Sequence, residues 1–248
     1  MSKPSGYLNT VTTSKLLPTA ALASERLVLE YPDEGELRSR TVVSRSRARS
    51  TGKYPSWKMG RMIQCESLNE LNVARLLDAD PEITAFNEQP LTIYYSLNGA
   101  THRHYPDFNV EWRNGVRELW EIKPAAQATL SDVLQRTRYL QEALPRTGFK
   151  YCMMIAEDVR VGPQLGNAIR LLRHGRTPVS SAEREQVRQI LLCASSVSWG
   201  SARRGDLGLR GQCVLARLTL EGFLTFNRSI GIDDNTEFIL ALRRRKGQ

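Results

Sequence analysis

The sequence predicts an α/β fold in two parts: a mixed sheet flanked by helices, then a small C-terminal domain of helices with one hairpin. Short runs of β-branched and aromatic residues alternate with helical apolar spacing over residues 38–176. Two Asn-Gly dipeptides separate such runs, as in tight hairpins. Beyond residue 177 helix signals dominate, and two short strands follow them. We therefore predict an arm over residues 1–37, a sheet domain over 38–176 and a C-terminal domain over 177–248.

The charge, hydropathy and cysteine spacing of the sequence indicate what kind of partner and which cellular compartment to expect. The 248 residues carry a formal net charge of +9 and a pI of about 9.6, which favours a polyanion such as a nucleic acid. The sequence has neither eighteen consecutive apolar residues nor an N-terminal apolar h-region, so we expect no membrane span and no secretion. Its four cysteines form no C-x-x-C pair, which argues against a zinc site and suits a reducing cytoplasm.

Residues 38–61 form a basic segment with eight Lys or Arg residues and no acidic one. Arginine binds phosphate through two parallel hydrogen bonds, and the interleaved serines can add single ones. The expected DNA-binding residues are Arg45, Arg47, Arg49, Lys53, Lys58 and Arg61. The alternative is a solvated basic loop that binds nothing.

Residues 64–91 contain an amphipathic helix followed by a strand. Leu68, Leu71 and Leu77 follow helical spacing, and a turn then ends the helix. Glu66 and Glu70 lie four residues apart and share one helix face, so either could bring a carboxylate to a neighbouring site. The alternative is that both glutamates face solvent.

Turn dipeptides mark the strands that come next. Residues 83–97 predict one long strand or two short ones around Gln89-Pro90, and Asn98-Gly99 then turns the chain. His102 and His104 share a strand face in the run that follows. With no third His or Cys nearby, we expect a half-exposed polar face there rather than a metal site.

Two further strands are predicted over residues 105–112 and 117–123, on either side of the dipeptide Asn114-Gly115. Because side chains alternate between the faces of a strand, Glu121 and Lys123 project from one face. A hairpin that pairs the two strands places Asp107 beside them. The sequence thus gathers two carboxylates and an ammonium at one place.

Such a cluster needs a physical reason, because like charges repel and buried charges need partners. A divalent cation would supply one, since Asp107 and Glu121 offer the hard oxygen ligands that Mg2+ prefers, with Mn2+ as a substitute. Lys123 could then orient a water or stabilise charge on a phosphate. The alternative is a solvated strand face with ordinary cross-strand ion pairs.

Downstream of Lys123, residues 130–144 predict a helix, residues 151–156 a buried strand and residues 164–173 a second helix. A meander with a strand-helix-strand return and helices on its faces is an α/β sandwich. Thr177-Pro178 marks the boundary of this domain.

The C-terminal domain begins with a capping box formed by Ser180 and Glu183, followed by a helix. Further helices are predicted over residues 202–207 and 211–221, strands over 223–226 and 236–242, and a basic end over 243–246. Three helices and a hairpin match a winged helix-turn-helix. The third helix offers few base-reading side chains, chiefly Gln212 and Arg217, so contact with a protein ranks slightly ahead of sequence reading.

Taken together, the motifs resemble the TnsA family, the restriction-endonuclease-like (PD-(D/E)xK) subunit of heteromeric TnsA/TnsB transposases. They are S-x-x-E-L at residues 67–71, Q-P at 89–90, P-D-F at 106–108 and E-x-K-P-A at 121–125, followed by a helix and a buried strand. The resemblance implies Mg2+-dependent cutting of double-stranded DNA at the 5′ ends of a transposon, in a prokaryotic cytoplasm. The implied partners are a TnsB-like DDE transposase and a TnsC-like AAA+ ATPase.

Position by position, the resemblance makes Glu70, Asp107 and Lys123 catalytic, with Glu121 where the best-known member has glutamine. We expect Glu121 to add a metal ligand to Glu70 and Asp107, as in the general nuclease pattern. Glu66 has no clear counterpart in the family. Two alternatives stay open: a restriction or repair nuclease that works alone, and a DNA-binding scaffold without enzymatic activity.

Overall fold

A computed structural model describes residues 27–36, 38–39 and 52–241 of the chain. Its contacts divide these residues into two units. The first unit holds the described residues up to Ala74 together with Ile83–Val159, and the second holds Arg75–Glu82 and the described residues from Arg160 onward. The helix over Gln164–His174 therefore belongs to the second unit, whereas the boundary predicted at residue 177 assigned it to the sheet domain. No described helix is both long enough and apolar enough to cross a bilayer.

The first unit is built mainly of strands. Its elements in chain order are β1 (Leu27–Glu30), β2 (Gly52–Pro55), β3 (Met62–Cys65), the start of α1 (Leu68–Ala79), β4 (Ile83–Glu88), β5 (Thr92–Leu97), β6 (Ala100–His104), β7 (Phe108–Trp112), β8 (Arg117–Lys123), α2 (Ala125–Ala128), α3 (Ser131–Ala143) and β9 (Lys150–Ile155). A four-stranded sheet has the order β4-β7-β8-β9, and a three-stranded sheet has the order β1-β5-β6. In the larger sheet only β8 and β9 run parallel.

Helix α3 makes the crossover between β8 and β9 and packs against β9. A parallel pair requires such a long connection, whereas an antiparallel pair can close with a short turn. The buried cluster beside α3 joins Tyr139 and Leu140 to Ile93 of β5, Leu119 of β8 and Tyr151 of β9. The apolar stripe of α3 is thus shared between the four-stranded and the three-stranded sheet of this unit.

Both predicted Asn-Gly turns are present. Asn98 and Gly99 have φ values of 54° and 76° and join β5 to β6, and this left-handed pair is the one that closes two-residue hairpins. Gly115 has a φ of 84° in the turn between β7 and β8. In that turn the Val116 amide donates to Oδ1 of Asn114 at 3.0 Å. Local turn chemistry therefore sets the register of both hairpins.

Several predicted bounds shift in the structure. The strand predicted from residue 105 begins at Phe108, because Pro106 has no amide hydrogen to donate to the ladder. Residues 27–30, which the sequence placed in an N-terminal arm, form β1 and pair with β5. Residues 1–26 lie outside the described residues. The segment 83–97 forms two strands, with Gln89 at a φ of 44° between them.

The second unit holds the remaining elements. They are α4 (Gln164–His174), α5 (Ser181–Ala194), β10 (Val197–Ser198), α6 (Trp199–Arg204), α7 (Gly211–Leu220), β11 (Leu224–Phe226) and β12 (Glu237–Leu240). The strands form an antiparallel sheet in the order β10-β12-β11. Helix α6 begins three residues before the predicted start at 202, since Ser198 caps it by accepting from the Ser201 amide at 3.0 Å. The predicted basic end over 243–246 lies outside the described residues.

Helix α7 is covered on most of its surface. Seven of its ten residues are buried, including Val214, Leu215 and Leu218. Helix α4 packs closely against it: a Cβ added at Gly175, just past the end of α4, would lie 2.7 Å from the Leu220 side chain. None of the ten residues of α7 is exposed. This helix is therefore a core element of the second unit.

The predicted capping box opens α5. Ser180 Oγ accepts from the Glu183 amide at 3.2 Å, and the Ser180 amide donates to Oε2 of Glu183 at 2.8 Å. Replacing a serine cap by alanine typically costs about 1 kcal/mol, because an amide of the first turn loses its partner. We expect Ser180→Ala to lower the unfolding free energy by about 1 kcal/mol in urea titrations.

The matched control is Ser229→Ala, a serine in the exposed loop between β11 and β12. Its unfolding free energy is expected to stay near that of the wild type. Equal losses in the two variants would show that the Ser180 hydroxyl stabilises nothing specific.

Candidate active site

Asp107 lies at the point where the chain enters β7. Its amide donates to the Trp120 carbonyl at 2.8 Å, so the ladder with β8 continues to this residue. Its Oδ2 accepts from the Ile122 amide at 2.7 Å. The register that pairs Phe108 with Trp120 places Asp107 opposite Glu121. The predicted hairpin thus brings the two carboxylates to neighbouring positions.

Glu70 lies in the first turn of α1, where its side chain helps to start the helix. Oε1 accepts from the Ser67 hydroxyl at 2.8 Å, and Oε2 accepts from the Glu66 amide at 2.7 Å. The Glu70 amide in turn donates to Ser67 Oγ at 3.2 Å. The S-x-x-E motif is therefore a form of capping box. These bonds hold the Glu70 carboxylate in one place.

Asp107 and Glu70 both have raised pKa values, and Glu70 contributes to the shift of Asp107. Burial raises the pKa of Asp107 well above its usual range, and the negative charge of Glu70 raises it further. Burial likewise raises the pKa of Glu70, with an added contribution from Glu66. The Lys123 ammonium acts in the opposite direction on both groups. Two half-buried carboxylates that repel each other beside the Lys123 ammonium are a favourable place for a further cation.

Glu121 projects from the same face of β8 as Lys123, as predicted. Its carboxylate is 3% exposed, and Oε1 lies 2.8 Å from Nζ of Lys123. The Lys123 side chain is 29% exposed, so the ammonium lies between the buried carboxylate and solvent. Lys123 is thus held by an ion pair.

Three further side chains enclose Glu121. Nη2 of Arg136 in α3 lies 3.0 Å from Oε1 and 3.1 Å from Oε2. The Tyr151 hydroxyl donates to Oε2, and Nε2 of His104 lies 3.2 Å from the same oxygen. Arg136, Tyr151 and His104 come from three different elements that converge on one carboxylate.

The charges of this cluster follow from its surroundings. Burial alone would raise the pKa of Glu121, but His104, which is protonated at the low pH where Glu121 titrates, and the cations Arg136 and Lys123 lower it to about 2. Burial lowers the pKa of His104 to about 4. At neutral pH the imidazole is therefore uncharged, and Arg136 and Lys123 are the cations that keep Glu121 ionised. Tyr151 stays protonated because burial and the Glu121 charge raise its pKa well above 10.

The carboxylates differ in how well they suit a divalent cation. Among the described residues, Oδ1 of Asp107 accepts no hydrogen bond, and each oxygen of Glu70 accepts one. These oxygens keep lone pairs that a hard cation can use. The oxygens of Glu121 are already occupied by hydrogen-bond donors. Over the same part of the chain, no three Asp, Glu, His or Cys side chains are gathered as a ready-made metal centre. Asp107 and Glu70 therefore fit Mg2+ better than Glu121 does.

Gln89 connects the two carboxylates that fit a cation. Its amide donates to the Asp107 carbonyl at 2.9 Å, and its Nε2 donates to Oε1 of Glu66 at 2.7 Å. Glu66 then donates from its amide to Glu70. A φ of 44° is unusual for glutamine and costs backbone energy. The Q-P motif thus places a strained residue between the strand and the helix that carry the site.

The predicted DNA-binding residues fall into three groups. Arg45, Arg47 and Arg49 lie outside the described residues. Lys53 is exposed on β2, and Lys58 lies in the turn before β3. Arg61 makes a bidentate pair with Glu88, at 3.0 Å and 2.8 Å. Glu88 is 1% exposed, so Arg61 neutralises a buried charge.

Sequence reasoning missed Arg136, Tyr151 and His104 as members of the site. Arg136 lies among Val133, Thr137 and Leu140 on the buried side of α3. An arginine on an apolar helix stripe indicates a buried acidic partner, because buried charges are normally paired. Tyr151 opens a buried strand, where its hydroxyl needs a hydrogen-bond partner. His104 gave no such signal, because the alternation of side chains along a strand does not show which face is buried.

Comparison with known proteins bears on the region just described. No curated protein matches the chain significantly. Residues 80–154 match the family model described as "TnsA-like endonuclease N terminal". The matched region includes Asp107, Glu121 and Lys123, whereas Glu70 precedes it. Mixed sheets flanked by helices are compatible with the restriction-endonuclease-like fold that this family implies. Residues 80–154 are therefore similar to the N-terminal domain of TnsA-like endonucleases, which confirms over this region the resemblance seen in the sequence.

Proposed function

We propose that the chain is the endonuclease subunit that hydrolyses phosphodiester bonds at the 5′ ends of a transposon, in a prokaryotic cytoplasm. The observation that carries this proposal is the gathering of Asp107, Glu70 and Lys123 in and beside the matched region. Its partners are a TnsB-like DDE transposase, which acts on the 3′ ends, and a TnsC-like AAA+ ATPase. Double-stranded transposon-end DNA is the substrate, consistent with the net charge of +9.

Asp107 and Glu70 would hold Mg2+, and Mn2+ would substitute for it. When bound, the ion neutralises charge on the scissile phosphate and lowers the pKa of a water. Lys123 presents its ammonium at the solvent side of the buried Glu121, where it can stabilise negative charge on a phosphate or orient the attacking water. Gln89 fixes the spacing between the strand of Asp107 and the helix of Glu70. Hydrolysis then proceeds by in-line attack.

We further propose that the C-terminal residues form a winged-helix-like module that binds a partner protein. The order α5-β10-α6-α7-β11-β12 and the three-stranded antiparallel sheet support the winged-helix assignment. A helix that reads bases must present side chains to the major groove. Since no residue of α7 is exposed, contact with the partner ATPase is favoured over base reading by this helix.

Gln212 tests whether α7 reads bases. It is half-buried in the first turn of α7 and is the best candidate there for a base contact. We expect Gln212→Ala to change the affinity for a transposon-end duplex by less than about twofold, whereas loss of a base contact typically costs about fivefold or more. Fluorescence anisotropy at one fixed salt concentration measures this affinity.

The matched control for this measurement is Gln186→Ala, on the exposed side of α5. A loss of affinity confined to Gln212→Ala would show that α7 contacts bases. The module would then be a DNA reader rather than a protein-docking unit.

Strand-specific cleavage tests the proposed function itself. Transposon-end DNA labelled separately on each strand is incubated in Mg2+ with this protein alone, and with the partner transposase and ATPase. We expect nicks at the 5′ ends only when the partners are present. Mn2+ in place of Mg2+ is expected to give the same products.

Two other outcomes define the alternatives. Nicks made by the chain alone would identify a restriction or repair type of nuclease. Joining of the 3′ ends without any 5′ nick, together with DNA binding that does not need Mg2+, would identify a non-enzymatic scaffold. Either result overturns the proposal in a recognisable way.

A further inference from the structure

The carboxylate of Glu121 has no capacity left for a metal ion. A carboxylate offers about four lone-pair positions. Lys123 takes one on Oε1, Arg136 contacts both oxygens, and Tyr151 donates to Oε2. Nε2 of His104 lies 3.2 Å from Oε2. A divalent cation could bind Glu121 only after displacing at least one of these groups.

Tyr151 determines which atoms donate and which accept hydrogen bonds within the cluster. Tyr151 has one hydroxyl hydrogen, which it donates to Glu121. Its oxygen lies 3.0 Å from Nε2 of His104, so it accepts a hydrogen bond from the imidazole. His104 is then the tautomer with its proton on Nε2. His104 thus supports Tyr151, and Tyr151 supports Glu121.

Displacement of these groups is disfavoured by their burial. Glu121 and His104 are 3% and 7% exposed, and Tyr151 is 5% exposed. Removing Arg136 from Glu121 would leave a partly buried guanidinium without its carboxylate, and breaking buried pairs is costly. Asp107 differs, because its Oδ2 accepts one backbone amide and its Oδ1 accepts nothing from the described residues.

We propose that Glu121 is a positioning residue that fixes the Lys123 ammonium, with Arg136, Tyr151 and His104 as its supports, while Asp107 and Glu70 hold the metal. This inference rests on the proposed nuclease function and changes the role that the E-x-K pattern gives to its glutamate. Arg136, Tyr151 and His104 become members of the site without touching DNA or metal. Lys123 is held at one place because its partner cannot move.

The test separates metal binding from cleavage. Mn2+ binding to the full-length chain is measured by the loss of the electron paramagnetic resonance signal of free Mn2+, for wild type, Glu121→Gln and Asp107→Asn. We expect Glu121→Gln to bind Mn2+ within about threefold of the wild type and Asp107→Asn to bind more than about tenfold more weakly. Equal weakening in both variants would overturn the proposal, because Glu121 would then be a ligand.

Cleavage by the assembled complex provides the second readout. For Glu121→Gln we expect a lower maximal rate of 5′ cutting with an unchanged Mg2+ concentration at half-maximal rate. A merely structural role would lower the amount of folded protein and leave the rate per folded molecule unchanged. Tyr151→Phe removes one donor with little change in shape, and we expect the same pattern from it. A raised half-maximal Mg2+ concentration in either variant would overturn the proposal.

The outcomes also distinguish this inference from the proposed function. If wild type binds no Mn2+ and cuts no DNA, the metal-dependent nuclease function fails, and the assignment of the metal to Asp107 and Glu70 fails with it. If wild type binds Mn2+ and cuts DNA but Glu121→Gln loses the ion, only the inference about Glu121 fails.

Discussion

Asp107→Asn is expected to lower the rate of 5′-end cutting by about a thousandfold or more. The substitution keeps the shape of the side chain and can keep the bond from the Ile122 amide, but it removes the negative charge that would hold a divalent cation. Metal-assisted stabilisation of the transition state is worth several kcal/mol, which is lost with the ion. Single-turnover cleavage of labelled transposon ends in the assembled complex measures the rate.

Glu111→Gln is the matched control, because it removes one negative charge from the same strand at its far end. Its rate of 5′ cutting is expected to match that of the wild type, and both variants are expected to leave joining of the 3′ ends intact. If the Asp107→Asn variant cuts the 5′ ends as fast as the Glu111→Gln control, this carboxylate has no catalytic role. Loss of 3′ joining in Asp107→Asn alone would point to a defect in assembly instead.

Arg61→Gln is expected to lower the unfolding free energy by about 3 kcal/mol, because it leaves the buried Glu88 without its bidentate partner. The Gln64 amide, at 3.1 Å, and Arg38, at 3.6 Å, still face the Glu88 carboxylate, which keeps the loss at the lower end for such a pair. Urea unfolding measures the change.

Lys53→Gln removes one positive charge from the neighbouring exposed strand and is expected to leave stability unchanged. Adding Glu88→Gln to Arg61→Gln is expected to recover part of the loss, since the uncompensated charge is then gone. If Arg61→Gln is as stable as Lys53→Gln but binds DNA more weakly with a shallower salt dependence, Arg61 is the phosphate contact that the sequence predicted.

The sequence predicted those features of the site that depend on short-range geometry. The Asn114-Gly115 turn and the alternation along β8 were enough to place Glu121 and Lys123 on one face, with Asp107 opposite. The motif around Glu70 was visible too, although its Ser67 also predicts a helix cap. In these cases the informative residues lie within a few positions of each other, so local stereochemistry decides their arrangement.

The sequence could not predict what surrounds Glu121. His104, Arg136 and Tyr151 lie on β6, α3 and β9, and only the packed fold brings them to one carboxylate. The burial of α7 was hidden for the same reason, because its apolar residues fit either a half-exposed recognition helix or a core helix. The apolar spacing of the sequence fitted both kinds of helix equally well, and tertiary contacts decided between them.

The crossover from β8 through α3 to β9 has a consequence for the order of folding. The Asp107 carboxylate meets the Ile122 amide across 15 residues, while Tyr151 reaches Glu121 across 30 and His104 across 47. Longer loops cost more entropy to close, so the β7–β8 hairpin is expected to form before Tyr151 reaches it. During that interval Asp107 and Glu121 face each other in water, with Lys123 as the nearest cation of the hairpin. Dissolved salt would then screen their repulsion, and refolding is expected to be faster at moderate ionic strength than at low ionic strength.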